Sequence, residues 1–338
     1  MDDAAVIKEI TAWYDYNRLE QYEPYPKQYA FHEAGRHHRE RLLMKGNQVG
    51  GTMCGAAELA CHVTGRYPDW WPGMVYDHPV KCWVASESTT KTREIMQMHL
   101  LGTEILTVGH PSMGQGMIPR DTIAGVTKKQ AGVRNVADQV FINHKSGGTS
   151  VVTFKEYEQG WEKFTGDKIH LFWPDEEPKE EKTYFEGVTR TQSHVDGRTM
   201  MTFTPLRGRT PIVKSFLDDA EDKRNKHVTN MTIWDAVDGI WPAGTPWAGE
   251  EWKGHYTRSH AQHVVDAYPD HLRKTKELGI PLMGDSMVFP FDFDEIMITA
   301  FDIPRHWARI AGCDFGMGHP AAGAWLAHDT DTDTVYLP

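Results

Sequence analysis

Short apolar runs alternate with segments of helical periodicity along much of the chain. The runs with the length of strands lie at residues 42–44, 81–85, 140–142, 150–154, 169–173 and 199–203. Between them, residues 53–63 and 89–101 carry apolar side chains at helical spacing, with Ile95, Met98 and Leu101 on one side of the second segment. Strands that alternate with helices predict an α/β fold with a mainly parallel sheet.

Two segments flank or interrupt this pattern. Ile7, Ile10 and Tyr14 predict an amphipathic helix near the amino terminus, and the prolines that follow at positions 24 and 26 end it. Residues 109–135, rich in glycine, proline and lysine, are predicted as a long surface excursion that meets DNA or a neighbouring subunit.

The remainder of the chain is less regular. Residues 211–285 predict a small helical lid, with helices over 211–221 and 261–278. Residues 285–303 predict a connector to a new unit. In that unit, a strand that carries Asp314 is followed by glycine and by a second strand near 321–327, while Asp329, Asp331 and Asp333 predict a hairpin turn.

A glycine-rich loop stands between the first strand and the helix that follows it. Strand, glycine loop and helix form the context in which backbone N–H groups bind phosphates at a helix N-terminus. The register differs from the usual G-x-x-x-x-G-K-[ST] pattern, because Lys45 takes the place of the first glycine and Gly51 that of the lysine. A glycine-rich turn is the rival interpretation. The predicted phosphate-binding residues are Lys45, Gly46, Asn47, Gln48, Val49, Gly50, Gly51 and Thr52.

Adjacent carboxylates follow the apolar run at 169–173. A strand that ends in Asp175 and Glu176 supplies what hydrolysis of a Mg²⁺–nucleotide complex needs. Asp175 is the expected metal-binding residue, together with Thr52 of the loop, and Glu176 is the expected base for the attacking water. A solvated acidic turn is the alternative for either motif alone. The two motifs in this order favour an ATPase that uses ATP and Mg²⁺, with Lys45, Asp175 and Glu176 as catalytic residues.

Three further residues have predicted roles around a nucleotide. The amide of Gln28 can both donate to and accept from an adenine edge, and Tyr25 can stack on the ring, although an ordinary helix start explains both residues equally well. Thr204 follows the strand at 199–203, where a polar residue can sense the γ-phosphate and couple hydrolysis to motion; a plain strand end is its rival interpretation.

Composition narrows the function classes. The chain has 338 residues, 40% of them hydrophobic, and a net charge of −11, so DNA contact must depend on local basic patches at Lys128, Lys129 and Arg134 or at 223–226. No apolar stretch approaches the length of a membrane span. The four cysteines form no C-x-x-C pair, and the 18 histidines form no recognised metal-binding pattern, so buried thiols and surface histidines are expected.

The most specific segment is YEQGWEKFTG at 157–166, which leads into WPDEEP at 173–178. With these motifs, the sequence resembles the large terminase subunit of tailed bacteriophages, the ATPase–nuclease that packages viral DNA. The resemblance covers nearly the whole chain and implies an adenine-reading role for Gln28, a coupling role for Thr204, and a role for Asp314 as first carboxylate and metal ligand of an RNase H-like nuclease. It also accounts for a phosphate-loop lysine at the front of the loop.

The resemblance implies an organisation and a set of partners. The expected regions are a P-loop ATPase core at 1–210, a lid and connector at 211–300, and the first hairpin of an RNase H-like nuclease at 301–338. Nuclease function is expected to be lost or incomplete in this chain. The implied partners are double-stranded DNA, the small terminase subunit and the portal protein, with a homo-oligomeric ring in the host cytoplasm that assembles transiently on the procapsid portal.

One departure and two rival functions stand beside this resemblance. Relatives often carry arginine where this chain has Trp161, so an arginine finger is not assigned, and Arg134, Lys163 and Arg190 are candidates. A helicase-like DNA translocase shares the ATPase core. A non-hydrolysing DNA-binding adaptor is the rival from another class, because Gly51 takes the usual lysine position.

Overall fold

The computed structural model describes residue 11 and residues 13–130, 133–218, 225–281, 297–314 and 322–337. The chain divides into two compact units, Met1–Met287 and Val288–Pro338. Most of the helix expected near Ile7 and Ile10, and most of the connector expected at 285–303, lie outside the described residues.

The first unit is an α/β domain. Its main helices are α1 (Pro26–Ala34), α2 (Gly51–Thr64), α4 (Glu181–Thr191), α5 (Pro211–Leu217), α6 (Arg258–Asp266) and α7 (Asp270–Leu278). The helix α3 consists of a turn Thr89–Lys91, a π-helical stretch Thr92–Gln97 and a turn Met98–Leu101. Its strands are β1 (Glu40–Lys45), β2 (Lys81–Ser86), β3 (Ile123–Lys128), β4 (Ala137–Asn143), β5 (Thr149–Glu156), β6 (Leu171–Pro174), β7 (Arg198–Phe203), β8 (Lys226–Met231), and the short β9 (Gly239–Ile240) and β10 (Glu251–Trp252).

Eight of these strands form one sheet in the order β3-β4-β5-β2-β6-β7-β1-β8. The pairs from β5 across to β8 are parallel, whereas β4 runs antiparallel to both of its neighbours, β3 and β5. The predicted mainly parallel α/β fold is therefore confirmed. Because β1, β7 and β6 are successive neighbours, their carboxyl ends meet at one edge of the sheet.

Both faces of the sheet are covered, which explains its continuous apolar runs. On β1, Leu43 belongs to the core on one face, whereas Leu42 and Met44 belong to the core on the other. The helix α2 supplies most of its buried residues to the first core, and Tyr184 and Val188 of α4 pack in the second. The glycine loop after β1 is thus fixed between a central strand and a buried helix.

Two edge strands differ from the predicted pattern. The excursion expected at 109–135 contains β3, which pairs with β4 through two register irregularities. The lid expected at 211–285 contains β8, which pairs with β1 over the whole of that strand. Both edge strands are only partly buried, so their sequences contain no continuous apolar run that would predict a strand. The sheet consequently extends past the boundary expected at residue 210.

The second unit contains an antiparallel sheet of β11 (Ala308–Asp314), β12 (Ala322–Asp329) and β13 (Thr334–Tyr336). Asp314 is the last residue of β11 and is exposed. The turn expected after β12 is confirmed, because the carboxylate of Asp329 accepts hydrogen bonds from the Asp331 amide at 3.0 Å and the Thr332 hydroxyl at 2.7 Å.

Within the described ranges, the model contains no helix whose length and apolar character would let it cross a membrane.

Candidate active site

The loop between β1 and α2 presents the N-terminus of a long helix. Gly50 is the N-cap of α2 with φ +79°, a left-handed conformation that glycine adopts without steric cost, and no side chain caps this helix. The first N–H groups of α2 therefore remain available to an anion, and the helix dipole adds a partial positive charge there. This end of α2 suits a phosphate group.

Lys45 and Gly51 explain the unusual register of the loop. A Cβ added at Gly51 would lie 2.2 Å from Cδ and 2.3 Å from Cε of Lys45. The alkyl chain of Lys45 therefore passes over Gly51 and occupies the space that a side chain at that position would need. Lys45 thus leaves from the front of the loop and reaches the start of α2, so the two departures from the usual pattern compensate each other.

The acids after β6 face the loop. Asp175 is buried, and the hydroxyl of Thr52 on α2 lies 3.2 Å from each of its carboxylate oxygens. The hydroxyl of Thr202 donates to Asp175 Oδ1 at 2.6 Å and itself accepts from Trp173 Nε1 at 2.9 Å. The loop and the acidic strand end, separated by more than a hundred residues in sequence, thus converge on one point.

Glu176 lies beside the lysine. Lys45 Nζ is 3.2 Å from Glu176 Oε1 and 3.5 Å from Thr204 Oγ1. The Thr204 amide donates to Glu176 Oε2 at 3.1 Å. The lysine side chain is only 8% exposed, whereas that of Glu176 is 47% exposed. One oxygen of Glu176 therefore faces the buried cation while the carboxylate remains open to solvent, as a group that acts on water requires.

The charge state of Asp175 is set by its surroundings. Burial and the neighbouring Glu176 carboxylate raise its pKa to about 6, and these effects outweigh the opposite influence of Lys45 and of the threonine hydroxyls. A cation beside this carboxylate would favour its ionised form. The oxygen donors of Asp175 and Thr52 are those that Mg²⁺ prefers, so the residues present fit a magnesium site.

The amide of Gln28, predicted to read an adenine edge, forms hydrogen bonds within the protein. It is buried, and its amide nitrogen donates to the carbonyl oxygens of Gly50 at 3.1 Å and Val49 at 3.4 Å. Its carbonyl oxygen lies 3.0 Å from the Tyr25 amide and 3.2 Å from the Tyr22 hydroxyl. Both ends of this amide are engaged. In this structure, Gln28 joins α1 to the phosphate loop.

Two residues that the sequence analysis missed also contact the loop. His255 Nε2 donates to the carbonyl oxygen of Gln48 at 2.8 Å, and the Tyr256 hydroxyl donates to Gln48 Oε1 at 3.1 Å. Gln48 has φ +57°, so these bonds hold a residue in the left-handed region. The rings of Tyr25 and His255 stack with centroids 5.9 Å apart, and the Tyr25 hydroxyl lies 2.8 Å from His255 Nδ1. The Tyr25 ring, predicted to stack on adenine, is therefore already in contact with another ring.

A cavity of about 790 Å³ opens beside Asp175, Glu176 and Thr204. Its wall includes the acidic residues Glu87, Glu158, Glu177 and Glu180, the basic residues Lys91, Lys179 and Arg207, and the apolar Ile95, Met96 and Leu206. The cavity provides a route by which water reaches the carboxylate of Glu176.

The predicted basic patches are only partly available. Lys129 is 12% exposed at its side chain, and its Nζ lies 3.0 Å from the buried Glu156, so it belongs to a structural ion pair rather than to a free basic surface. Residues 223 and 224 lie outside the described residues. Among the candidate fingers, Arg190 pairs with Glu186 on α4, whereas Arg134 and Lys163 are exposed.

Some histidines gather at the opposite edge of the sheet. One ligand atom each of His78, His170 and Asp196 lies within 4.8 Å of the others, and His170 stacks on His194 at 3.8 Å. His78 pairs with Asp196 at 2.9 Å, and the Lys81 amide donates to His170 Nδ1 at 3.1 Å. Burial and His194 lower the pKa of His170 to about 4. No sequence pattern indicates this cluster, because its members are far apart in the chain.

Comparison with known proteins identifies the family. Residues 42–289 match the family model described as "Terminase large subunit, T4likevirus-type, N-terminal". The chain belongs to this terminase large-subunit family. The match includes the phosphate loop, both acids and Thr204, so the expected family is confirmed.

Relatives and solved structures agree with this assignment. The chain is 33% identical to the terminase large subunit of Salmonella phage P22 over an alignment of 349 positions. The alignment covers 98% of this chain and 65% of that protein. It is 34% identical to the terminase large subunit of Enterobacteria phage LP7 over 154 residues, or 46% of this chain and 28% of that one. The chain thus spans about two-thirds of the phage P22 protein.

A solved structure shows a similar fold. The solved large terminase of a thermophilic bacteriophage is similar with a TM-score of 0.52 and 13% sequence identity, covering 91% of this chain and 66% of that one. At this identity, the likeness establishes the fold, which is that of a large terminase.

Proposed function

We propose that this chain is an ATP-hydrolysing motor that moves double-stranded viral DNA into a procapsid. The observation that carries the proposal is the convergence of Lys45, Thr52, Asp175 and Glu176 at the N-terminus of α2. Membership of the terminase large-subunit family gives the substrate class and the context.

The loop residues 46–51 and Lys45 would hold the β- and γ-phosphates. The N-terminus of α2 offers unpaired N–H groups, and the buried ammonium of Lys45 adds a full positive charge. Because this ammonium contacts Glu176 and Thr204, it lies where the γ-phosphate would meet the water-activating residue. Positioning and electrostatic stabilisation contribute most to phosphoryl transfer, and these groups supply both.

Thr52 and Asp175 would hold Mg²⁺ when the nucleotide complex binds. The ion would neutralise phosphate charge as the terminal phosphoryl group is transferred. The Asp175 carboxylate is buried, and hydrogen bonds from the hydroxyls of Thr202 and Thr52 orient it toward the expected ion position. The carboxylate must be ionised to hold the ion, and the arriving positive charge would lower its raised pKa and so favour that form.

Glu176 would orient the attacking water and accept its proton. Its second oxygen is held by the amide of Thr204, the first residue after β7. Loss of the γ-phosphate would alter the contacts of Lys45 with both residues. Thr204 would then transmit hydrolysis to β7 and beyond, as the coupling residue.

The supply of further positive charge would come from a neighbouring subunit in a ring. Trp161 stands where the resemblance often implies an arginine, and the ammonium of Lys182 lies 3.1 Å from the centroid of its ring. The proposed partners are double-stranded DNA, the small terminase subunit and the portal protein, in the host cytoplasm at the procapsid portal. In the second unit, Asp314 is proposed as the first metal-binding carboxylate of a nuclease.

The decisive experiment is the variant Glu176→Gln. It keeps the shape of the side chain but removes the base, so ATP turnover with and without linear double-stranded DNA is expected to fall roughly 10²–10⁴-fold while nucleotide binding persists. The control variant is Glu181→Gln, which changes an exposed acid at the start of α4 and is expected to leave turnover unchanged.

Three outcomes would contradict the proposal. Equal turnover in wild type and Glu176→Gln would remove Glu176 from its role. Nucleotide binding by the wild type without any turnover would favour the non-hydrolysing adaptor. Turnover that DNA does not stimulate would separate the ATPase from the proposed motor.

A further inference from the structure

Tyr157 lies behind the two acids of the active site. It begins the turn Tyr157–Gln159 that follows β5, and its hydroxyl lies 2.9 Å from the carbonyl oxygen of Glu176. The carbonyl oxygens of Asp175 and Ala85 are each 3.3 Å away. The hydroxyl has a single proton, and the shortest of the three distances assigns that proton to Glu176.

The backbone that this hydroxyl contacts is strained. Glu176 has φ +62°, a left-handed conformation in which the Cβ of a non-glycine residue crowds the backbone. Its amide donates to the carbonyl oxygen of Thr202 at 2.9 Å, and its carboxylate is held by Lys45 and by the Thr204 amide. The carbonyl group is the remaining part of the residue, and Tyr157 holds it.

The hydroxyl is suited to remain a donor. Burial and the carboxylates of Asp175, Glu176 and Glu177 raise the pKa of Tyr157 well above its usual value. The ring packs against Phe164 at 6.3 Å in the core beneath the sheet. The donor therefore stands on a fixed support rather than on a mobile loop.

We propose that Tyr157 is a positioning residue for the hydrolysis step: its hydroxyl holds the left-handed turn at Glu176 so that the carboxylate faces Lys45 and the open cavity. The proposal deepens the proposed function and rests on it. It also gives the YEQG segment a role, since the first residue of that segment fixes the geometry of the acids that follow β6.

The test is the variant Tyr157→Phe, which removes only the hydroxyl. Loss of one hydrogen bond corresponds to a fall in kcat of about 3- to 10-fold. The KM for ATP, the Kd for a non-hydrolysable analogue and the Mg²⁺ concentration at half-saturation are expected to remain unchanged, because the phosphate loop, Thr52 and Asp175 are untouched. The matched control is Tyr184→Phe, a buried tyrosine whose hydroxyl bonds Glu40 at 3.3 Å, for which unchanged kcat is expected.

A further variant, Tyr157→Leu, separates the hydroxyl from the ring. If the hydroxyl acts as proposed, Tyr157→Phe lowers kcat almost as much as Tyr157→Leu does. Wild-type kcat in Tyr157→Phe would overturn the proposal, as would a loss that appears in the Mg²⁺ requirement or in nucleotide affinity instead of kcat. Failure of the proposed function is distinguishable, because the wild-type chain would then show no turnover, or a turnover that Glu176→Gln or DNA does not change.

Discussion

Two charged clusters stand four residues apart on the same strand, and they differ in exposure. Arg41 near the start of β1 pairs with Glu58 of α2, and both side chains are at most 1% exposed. Lys45 at the end of β1 pairs with Glu176, whose side chain is 47% exposed. One ion pair is closed to solvent and the other is open on its acidic side.

In the closed cluster, every partner side chain of Glu58 is buried. Glu58 also accepts from His32 Nδ1 at 2.7 Å and lies 3.3 Å from His62 Nε2. Burial alone would raise the pKa of Glu58, but Arg41 and the two histidines outweigh it and hold that pKa well below its usual range. The contacts of Glu58 with Arg41 and His32 join β1 and α1 to α2, so this cluster stabilises the fold around the loop.

The open cluster is incomplete without a ligand. Its acids are close together, one of them has a raised pKa, and a helix N-terminus beside it lacks capping side chains. We infer that the same type of ion pair stabilises structure when both partners are enclosed, and is available for the proposed chemistry when one partner reaches solvent. Four variants or conditions test this distinction, in order of decreasing effect.

The largest effect is expected from Glu58→Gln in the closed cluster. The change leaves Arg41 buried without its counter-charge, which costs roughly 3–5 kcal/mol of unfolding free energy. Urea unfolding followed by tryptophan fluorescence measures this loss. The exposed pair of Arg93 and Glu94 provides the control, because Glu94→Gln is expected to change stability by less than about 1 kcal/mol. Equal effects of the two variants would contradict the comparison.

Lys45→Met tests the open cluster. The variant keeps most of the side chain's apolar length but removes its charge, so kcat for ATP is expected to fall about 10²–10³-fold, as when a donor to a developing anion is lost. The unfolding midpoint should hardly move, because Glu176 remains solvated. The control is Lys214→Met on the exposed side of α5, which should retain wild-type turnover. Unfolding of Lys45→Met would place Lys45 with the structural cluster instead.

Gly51→Ala separates stability from activity. Alanine favours a helix by about 1 kcal/mol over glycine, but its Cβ would lie 2.2 Å from Lys45 Cδ and displace the side chain. A displacement of ~1 Å at a catalytic group costs about 100-fold in rate. Thermal unfolding and steady-state ATP turnover measure both quantities. Gly312→Ala in the second unit, where a Cβ meets no atom within 4 Å, is the control; full activity of Gly51→Ala would refute the path assigned to Lys45.

The smallest effect is a pH dependence. Because the pKa of Asp175 is raised to about 6, affinity for the Mg²⁺–nucleotide complex is expected to fall as pH drops below about 6, by roughly tenfold per pH unit well below it. Without ligand, stability has the opposite sign: it decreases as pH rises from about 4 to 6, because the unfolded carboxyl ionises first. Titration of nucleotide binding in wild type and Asp175→Asn checks this, and an identical profile in both would contradict it.

The sequence predicted the central part of the fold and the site because their signals are local. The strands that end at Lys45 and Pro174 are short apolar runs, and the residues after them follow directly in the chain. Parallel pairing then brings those carboxyl ends together. Lys45, Thr52, Asp175 and Glu176 were accordingly found from spacing alone, and the structure places them in contact.

What the sequence did not show depends on distant contacts or on partial burial. The edge strands β3 and β8 contain glycine, lysine and polar residues with no continuous apolar run. His255 and Tyr256 contact the phosphate loop from more than two hundred residues away, in a segment with no helical or strand signal. The role of Gln28 as a support for the loop could not be distinguished from adenine recognition, since both use the same amide groups.

The position of Lys45 at the end of β1 has a mechanical consequence. In the usual loop the lysine belongs to the helix, whereas here Lys45 is the last residue of β1 and pairs with Met231 of β8. The sheet therefore carries the positive charge, and α2 carries the free N–H groups. A shift of α2 relative to the sheet would change the distance between the Lys45 ammonium and these N–H groups. Under the proposed function, nucleotide affinity would therefore depend on how the helix is positioned against the sheet.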